Sequence, residues 1–431
     1  MRTYLPHLVC AGALVFIALL TRALLRSYLP SWWQKPPVKF LQRWAPRVGL
    51  LCILVWMLGT AQQDYTLIVL GASLVVVVLI SAAMILAALP FAMGLHVLHA
   101  RVALERHPPQ GGNVSTSSLF RGDKDGIGNL AVSPPLRGDN GVCFAASTPS
   151  INRREFLRTA AAAMPVLSTA SGLTGIAKSF DEVRLPVFHF KFADLPSALH
   201  GLKICQLSDM HLGYFRGVND MEKLCARVAA QQPDLVLVTG DLADDLMLLP
   251  TTLRLLEALA PPLGVYASLG NHEYYRGIKT VRKYFEASAI PLLCNAGVSV
   301  PAKGATLFLG GTDDPSRSRH TDFSVFFPQT TEAALREAPT GAFKILMSHR
   351  PQSFYSAAEL GAQLTLAGHT HGMQIGYNGR SLFELDGSEK LLWGHYHRGV
   401  SQLYTTSGVG HWFPFRLGCP PEAPIIVLER S

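Results

Sequence analysis

The sequence runs to 431 residues, 49% of them hydrophobic and only 16% charged, with 38 Lys and Arg against 30 Asp and Glu. That length exceeds one ordinary domain, and so apolar a chain is not largely disordered. The charge is unevenly placed: residues 1–177 hold 15 basic and 6 acidic side chains, residues 178–431 hold 23 and 24. A nearly neutral C-terminal half excludes a basic nucleic-acid-binding surface on any enzyme it forms, and no nucleic-acid partner is expected.

The basic half is also the apolar half. Residues 4–21, 48–63 and 65–100 carry no Lys, Arg, Asp or Glu. A helix needs about 20 apolar residues to cross a bilayer, so the first and third stretches suffice and the second is marginal. About three spans are expected over residues 1–105. Arg22, Arg26, Lys35, Lys39, Arg43 and Arg47 lie between the first two stretches with no acid among them. Basic loops stay cytoplasmic, which puts the N-terminus outside and the segment after Arg101 inside.

Residues 106–152, with Pro108-Pro109, Gly111-Gly112 and Pro134-Pro135, read as a flexible linker. In residues 153–177, Arg153-Arg154-Glu155-Phe156-Leu157-Arg158 and the uncharged run after it resemble a twin-arginine export signal placed internally, or form a fourth span. The partner that such a segment implies is the twin-arginine translocase. Its passage would leave residues 178–431 outside the cytoplasm, in a multi-pass protein of the cytoplasmic membrane. The seven cysteines show no metal-type spacing, and one disulfide among Cys205, Cys225, Cys294 and Cys419 is compatible with that compartment.

From residue 200 onward, short apolar runs alternate with helical patterns. Strands are predicted at 202–207, 235–239, 264–269, 343–347 and 364–367, with helices at 221–230, 253–259, 281–288 and 355–360. This alternation predicts an α/β layered domain, whose ligand sites form just beyond the carboxyl ends of strands. The strand ends carry Asp209-Met210-His211, Gly240-Asp241, Gly270-Asn271-His272-Glu273, Ser348-His349-Arg350 and Gly368-His369-Thr370-His371. Asp and His without Cys suit divalent first-row metals of intermediate hardness. The set exceeds what one tetrahedral ion needs. Two ions about 3.5–4 Å apart, sharing a carboxylate, would use all of it and clamp an in-line displacement at phosphorus.

The ordered series Asp-x-His, Gly-Asp, Gly-Asn-His-Glu, His, Gly-His-x-His resembles the calcineurin-like metallophosphoesterase superfamily. More loosely, Gly311-Thr312-Asp313-Asp314-Pro315 and the tail around Gly408, Arg416 and Pro421-Glu422 resemble its membrane-associated, twin-arginine-exported bacterial branch. The resemblance implies a four-layer αββα sandwich preceded by an N-terminal helical transmembrane region. It also implies a metal-dependent phosphoester hydrolase, with a metal-bridging hydroxide attacking phosphorus. The first metal would be held by Asp209, His211, Asp241 and His371, and the second by Asp241, Asn271, His349 and His369, with Asp241 bridging. The ions would be Mn, Fe, Zn or similar.

His272 would face the phosphate as proton donor or charge stabiliser, with Glu273 as a carboxylate orienting it or a neighbouring ligand. Arg350 and Arg416 are candidate phosphate contacts through bidentate pairing. His395 and His397 are expected at the site rim or in a hydrogen-bonded loop. The substrate class is a phosphoester, a diester in preference, lipid- or cell-envelope-linked beside the membrane. Two competing readings are a UDP-diacylglucosamine pyrophosphatase of lipid A biosynthesis, which needs a cytoplasmic site, and a non-catalytic membrane sensor or scaffold.

Overall fold

The computed structural model describes residues 5–80, 82 and 170–431, apart from positions 29, 63, 65, 214, 319, 385, 386, 388, 389 and 412. The linker expected over 106–152, and residues 153–169 of the signal-like segment, lie outside the described residues.

The N-terminal region is helical: α1 (Leu5–Tyr28), the short α2 (Pro30–Trp33), α3 (Pro36–Gln62) and α4 (Thr66–Ile80). The part of α1 from His7 to Ser27, and α3, are long and apolar enough to cross a membrane by length and composition. The second expected stretch, taken to start at 48, in fact begins at Pro36. Proline is tolerated there because a first-turn N–H has no intrahelical partner. The basic Lys39, Arg43 and Arg47 are therefore part of the helix, not of the loop before it. Leu14, Ile53, Trp56, Ala72 and Val75 are buried between the helices. Phe16, Leu19, Leu51, Leu54, Leu58 and Leu70 point outward and are exposed. Helices apolar on both inner and outer faces suit a lipid surround better than water.

A further helix, α5 (residues 170–179), leads into two six-stranded sheets. The strands are β1 (Val187–Phe192), β2 (Lys203–Leu207), β3 (Leu235–Thr239), β4 (Val265–Ser268), β5 (Leu292–Leu293), β6 (Ala296–Ala302), β7 (Ala305–Gly311), β8 (Phe343–Met347), β9 (Leu364–Ala367), β10 (Gly376–Tyr377), β11 (Arg380–Ser381), β12 (Gly394–Arg398), β13 (Ser401–Thr405) and β14 (Ile425–Arg430). The first sheet has the order β1-β14-β2-β3-β4-β5 and the second β12-β13-β9-β8-β7-β6. β10 and β11 form a separate small hairpin. The central strands β2-β3-β4 and β13-β9-β8-β7 are parallel. That arrangement buries both faces of the strands and explains the near-continuous apolar run of β3.

Alternation along the strands divides the core. Leu235 and Leu237 of β3 meet Ile345 and Met347 of β8 between the sheets, with Ile204, Leu309, Leu364 and Leu428. Val236 and Val238 face the other way, onto Leu224 and Val228 of α6 (Val218–Ala230), Leu253 and Leu256 of α7 (Leu249–Glu257), and Val281 and Phe285 of α9 (Ile278–Glu286). The short α8 (Asn271–Arg276) precedes α9. On the far side, Ala334 and Leu335 of α10 (Phe323–Leu335) cover Phe308 and Leu346, and Phe354 of α11 (Ser353–Glu359) covers Ala367 and Leu403. The result is the αββα sandwich. Its outcome for chemistry is that the carboxyl ends of β2, β3, β4, β8 and β9 open on one edge shared by both sheets. Gln206 Nε2 ties them there, donating to Thr239 Oγ1 at 3.0 Å and to the Ala367 carbonyl at 2.9 Å.

The bundle and the sandwich touch directly. Phe215 and Phe413 pack into the bundle core, and the Phe413 ring lies 6.3 Å from that of Trp56. Gly172 of α5 lies against Val77 of α4, and the Gly175 carbonyl accepts from Arg416 N at 2.8 Å. The expected boundary at residue 178 falls inside α5. Cys205, Cys225, Cys294 and Cys419 are all free, so the disulfide allowed for among them is not formed.

Candidate metal centre

Backbone hydrogen bonds between the strand ends fix the loops before any side chain is considered. Asp209 N donates to the Gly240 carbonyl (3.0 Å), His211 N to Asp241 O (3.1 Å), Gly368 N to His349 O (3.0 Å) and Gly410 N to Asp209 O (2.7 Å). Gly240 has φ +83°, and a Cβ there would stand 2.6 Å from Gly270 N, so only glycine allows this approach. Asp209, His211, Asp241, His369 and His371 themselves adopt left-handed backbone conformations. Such residues cost of order 1–3 kcal/mol each, and they persist where surrounding structure over-determines them, characteristically at functional sites.

The side chains converge in two overlapping groups. In the first, His211 Nε2 and His371 Nε2 are 3.2 Å apart, and Asp209 Oδ1 lies 3.4 Å from His371 Nε2 and 4.0 Å from His211 Nε2. In the second, His349 Nε2 lies 3.0 Å from Asn271 Oδ1 and 3.2 Å from His369 Nδ1. Asp241 Oδ2 belongs to both, 3.6 Å from His211 Nε2 and 3.2 Å from His349 Nε2. His349 Nδ1 must carry the proton it gives to the Thr239 carbonyl (2.9 Å), which turns Nε2 toward the cluster. All of these residues except His369 are buried. Carboxylate, amide and imidazole atoms so close and so dry would repel or stay unpaired without positive charge among them. The donor set therefore fits divalent cations, which the fold implies.

Protonation follows the same demand. Burial opposes the charge on Asp241, but His349, His272 and His211 overcome it and hold its carboxyl well below the usual carboxylate range. Burial likewise opposes the imidazolium of His349, yet Asp241 and Asp209 raise it to about 10. Burial and the neighbouring His349 and Arg350 push His369 down, and burial, His211 and Arg416 push His371 down.

The remaining residues sort by what they touch. His272 Nδ1 lies 2.5 Å from Asp244 Oδ1, its Nε2 4.0 Å from Asp241 Oδ2, and its side chain is 15% exposed. Arg276 Nε and Nη2 also reach Asp244 Oδ1, each at 3.0 Å. Asp244 was not picked out from the sequence, although it stands three residues after Asp241 in a carboxylate-rich turn. It, rather than Glu273, orients His272. Its Oδ2 also lies 3.4 Å from His211 Nδ1, so replacing it with Asn should lower turnover by about 10- to 100-fold and weaken metal binding on the His211 side, as read by paired kinetics and elemental analysis.

Glu273 acts instead on a neighbouring ligand, Asp241, the other role expected of it. Its Oε2 accepts from Gly270 N (2.7 Å) and Asp241 N (3.0 Å), and its Oε1 from Leu242 N (2.8 Å). It clips the Asp241 turn to the start of α8. Glu273→Ala would leave three buried N–H groups unpaired, at about 1–3 kcal/mol each, and is expected to lower the thermal midpoint of the folded chain measurably.

Arg350 reaches the centre. Its Nε donates to buried Asp314 Oδ2 at 2.8 Å, and its Nη1 lies 2.9 Å from His369 Nε2. Arg416 does not serve as the expected phosphate contact. It is fully buried, and its Nη groups donate to the carbonyls of Ser407, Gly408, Gly410, Cys419 and Pro420. It braces the loop that lies against Asp209. His395 and His397 are also away from the centre, on β12, where His395 stacks on Phe190 (ring centroids 4.0 Å) and bonds Gln402 Oε1 at 2.8 Å. The site opens past His272, Arg350 and His369, the partly exposed members of the cluster.

A hydrolase-type metal centre at the strand ends of an αββα sandwich is a family property, and comparison with known proteins agrees. The family model for calcineurin-like phosphoesterases matches residues 202–373. A metallophosphoesterase of Aquifex aeolicus, itself uncharacterised, is 31% identical over 235 residues, covering 53% of this chain and 85% of that protein. An uncharacterised metallophosphoesterase of Helicobacter pylori is 31% identical over 225 residues, 51% of this chain and 58% of its own length. A transmembrane protein with metallophosphoesterase domain from Bos taurus is 28% identical over 300 residues, 65% of this chain and 64% of that one. The chain thus spans less than two thirds of the latter two. It belongs to the calcineurin-like phosphoesterase family.

Proposed function

We propose that this protein is a two-metal phosphodiesterase anchored in the cytoplasmic membrane, with its catalytic domain on the extracytoplasmic side. The observation that carries the two-metal reading is the position of Asp241 Oδ2, within 3.6 Å of His211 Nε2 and 3.2 Å of His349 Nε2. One metal would take Asp209, His211, Asp241 and His371, the other Asp241, Asn271, His349 and His369. When bound, the pair supplies positive charge for the phosphoryl oxygens and lowers the pKa of water. His272 stands at the open side, raised to about 9 by Asp244 and Asp241 against the effect of burial, and holds a proton for the leaving oxygen at its Nε2. Arg350, fixed by Asp314, offers its guanidinium to a phosphoryl oxygen at the same mouth.

The membrane side is supported by which end of the bundle meets the sandwich. Phe413 packs by Trp56 near the end of α3, and His7 bonds Thr60 at the same end (3.1 Å). The basic residues Arg22 and Arg26 lie at the other end, over the Trp33 ring. Since basic ends stay cytoplasmic, the sandwich falls on the opposite side. That placement would need export of the domain, for which the Arg153-Arg154 segment suits the twin-arginine translocase. The competing pyrophosphatase of lipid A biosynthesis needs the cytoplasmic side. A non-catalytic sensor would not need the full ligand set.

The test uses the full chain in detergent, loaded with Mn, Fe or Zn, against bis-(p-nitrophenyl) phosphate, p-nitrophenyl phosphate and a UDP-linked pyrophosphate. Diester turnover that a chelator abolishes is the expected result. Absence of hydrolysis with every metal would overturn the enzymatic reading, and preference for the pyrophosphate would favour the competing one. Reporter fusions at Lys178 test the side.

A further inference from the structure

Four large side chains stand exposed within a short stretch beyond the last metal-site motif: Met373, Tyr377, Leu382 and Phe383, at 51%, 75%, 41% and 47%. They lie on the hairpin of β10 and β11 and on the turns flanking it. Other large apolar side chains of the domain, such as Met247 and Val400, are exposed singly, whereas four gathered within eleven residues suit an interaction surface. Its position says with what. Gly376 N donates to the Leu417 carbonyl (2.9 Å), Leu417 N to Gln374 O (2.9 Å), and neighbouring Arg416 N to Gly175 O of α5 (2.8 Å). Gln374 Nε2 also donates to the carbonyls of Phe413 (2.9 Å) and Phe415. The hairpin is thus one strand away from α5 and from Phe413, which meet the apolar bundle. Arg380 and Lys390, both exposed, lie beside it, and with Glu384, Asp386 and Glu389 in the same stretch the segment carries no net positive charge.

We propose that the hairpin around residues 373–383 is a second membrane contact, with Tyr377 and Phe383 seated in the lipid interface next to the helical bundle. Aromatic tips with apolar neighbours favour the headgroup layer of a bilayer. Buried His371 opens the same turn that carries Met373, so a hairpin in the interface keeps this side of the metal centre close to the bilayer surface. The substrate class that this suits is a phosphoester carried on a lipid. The inference rests on the membrane-anchored reading above, and the test separates the two.

The full chain, carrying photoreactive benzoylphenylalanine in place of Tyr377, Phe383, Leu54 or Val400, is placed in nanodiscs of phosphatidylcholine and phosphatidylglycerol, irradiated and examined by peptide mass spectrometry. Leu54 is an outward residue of α3, 60% exposed, and Val400 is 76% exposed at the end of β13 away from the metal centre. The expected result is a mass shift of one phospholipid at Leu54, Tyr377 and Phe383, with none at Val400. Lipid adducts at Leu54 alone would overturn the hairpin contact and leave the anchored reading standing. Their loss at Leu54 as well would overturn both. Crosslinks from Tyr377 and Phe383 to protein would replace the lipid by a protein partner and overturn the proposal, as would equal lipid adducts at Val400.

Discussion

Asp241→Asn is expected to lower turnover by at least about 10³-fold, on the order of 4 kcal/mol of transition-state stabilisation, and to take bound metal with it. The carboxylate is 2% exposed and shares one oxygen between the His211 and His349 groups. Its other oxygen accepts from His272 N at 2.8 Å. An Asn side chain keeps the size but halves the acceptor capacity and removes the charge that balances cations in a dry site. Its NH₂ group would also point donors either at His272 N, which cannot accept them, or at the imidazole lone pairs that the metals would otherwise take. Metal content by elemental analysis and kcat on a diester are the paired readouts. Full metal content with lost activity would show that Asp241 is not the bridge.

The second large effect is expected at His272, and its signature differs. His272, His211 and Asp241 also stand close enough to hold an ion, but the His272 ring is drawn to Asp244 at the partly exposed side, and His272→Asn is expected to keep the metals in the two groups that the remaining donors form. Removing a positioned general acid costs roughly 10²–10⁴ in rate when the leaving group needs a proton. The loss should therefore be large for an alkyl diester and small for a p-nitrophenyl ester, whose leaving group departs without protonation. Equal losses on both substrates would reassign His272 to charge stabilisation, and no loss on either would remove it from the reaction.

How much of this was written in the sequence depends on the range of the interaction. β3, β8 and β9 lie where their apolar runs predicted them, because strands buried on both faces leave a plain local signal. The donor residues were legible for the same reason: they follow those runs immediately. β1 and β14 were not assigned, since each acquires its place through pairing with a strand distant in sequence, and β6, β7, β12 and β13 were not assigned because their hairpins carry Gly, Ser, Thr, Gln and His among the apolar residues. Arg416 shows the limit most clearly. A lone arginine near the end of the chain reads as a phosphate contact, and only the folded loop supplies the five carbonyl oxygens that claim it. Glu273 was ambiguous for a related reason, because its three partners are backbone N–H groups that no composition reveals. The join between bundle and sandwich was equally invisible, resting on Phe215 and Phe413, unremarkable residues until they meet Trp56 and its neighbours.

The account stands most directly on the metal stoichiometry of the purified full chain, loaded with Mn and measured together with its low-temperature EPR spectrum. Two ions per chain giving an exchange-coupled signal is the predicted result, since one shared carboxylate oxygen places both ions within coupling distance. A single ion per chain, or two with the spectrum of isolated Mn, would contradict it.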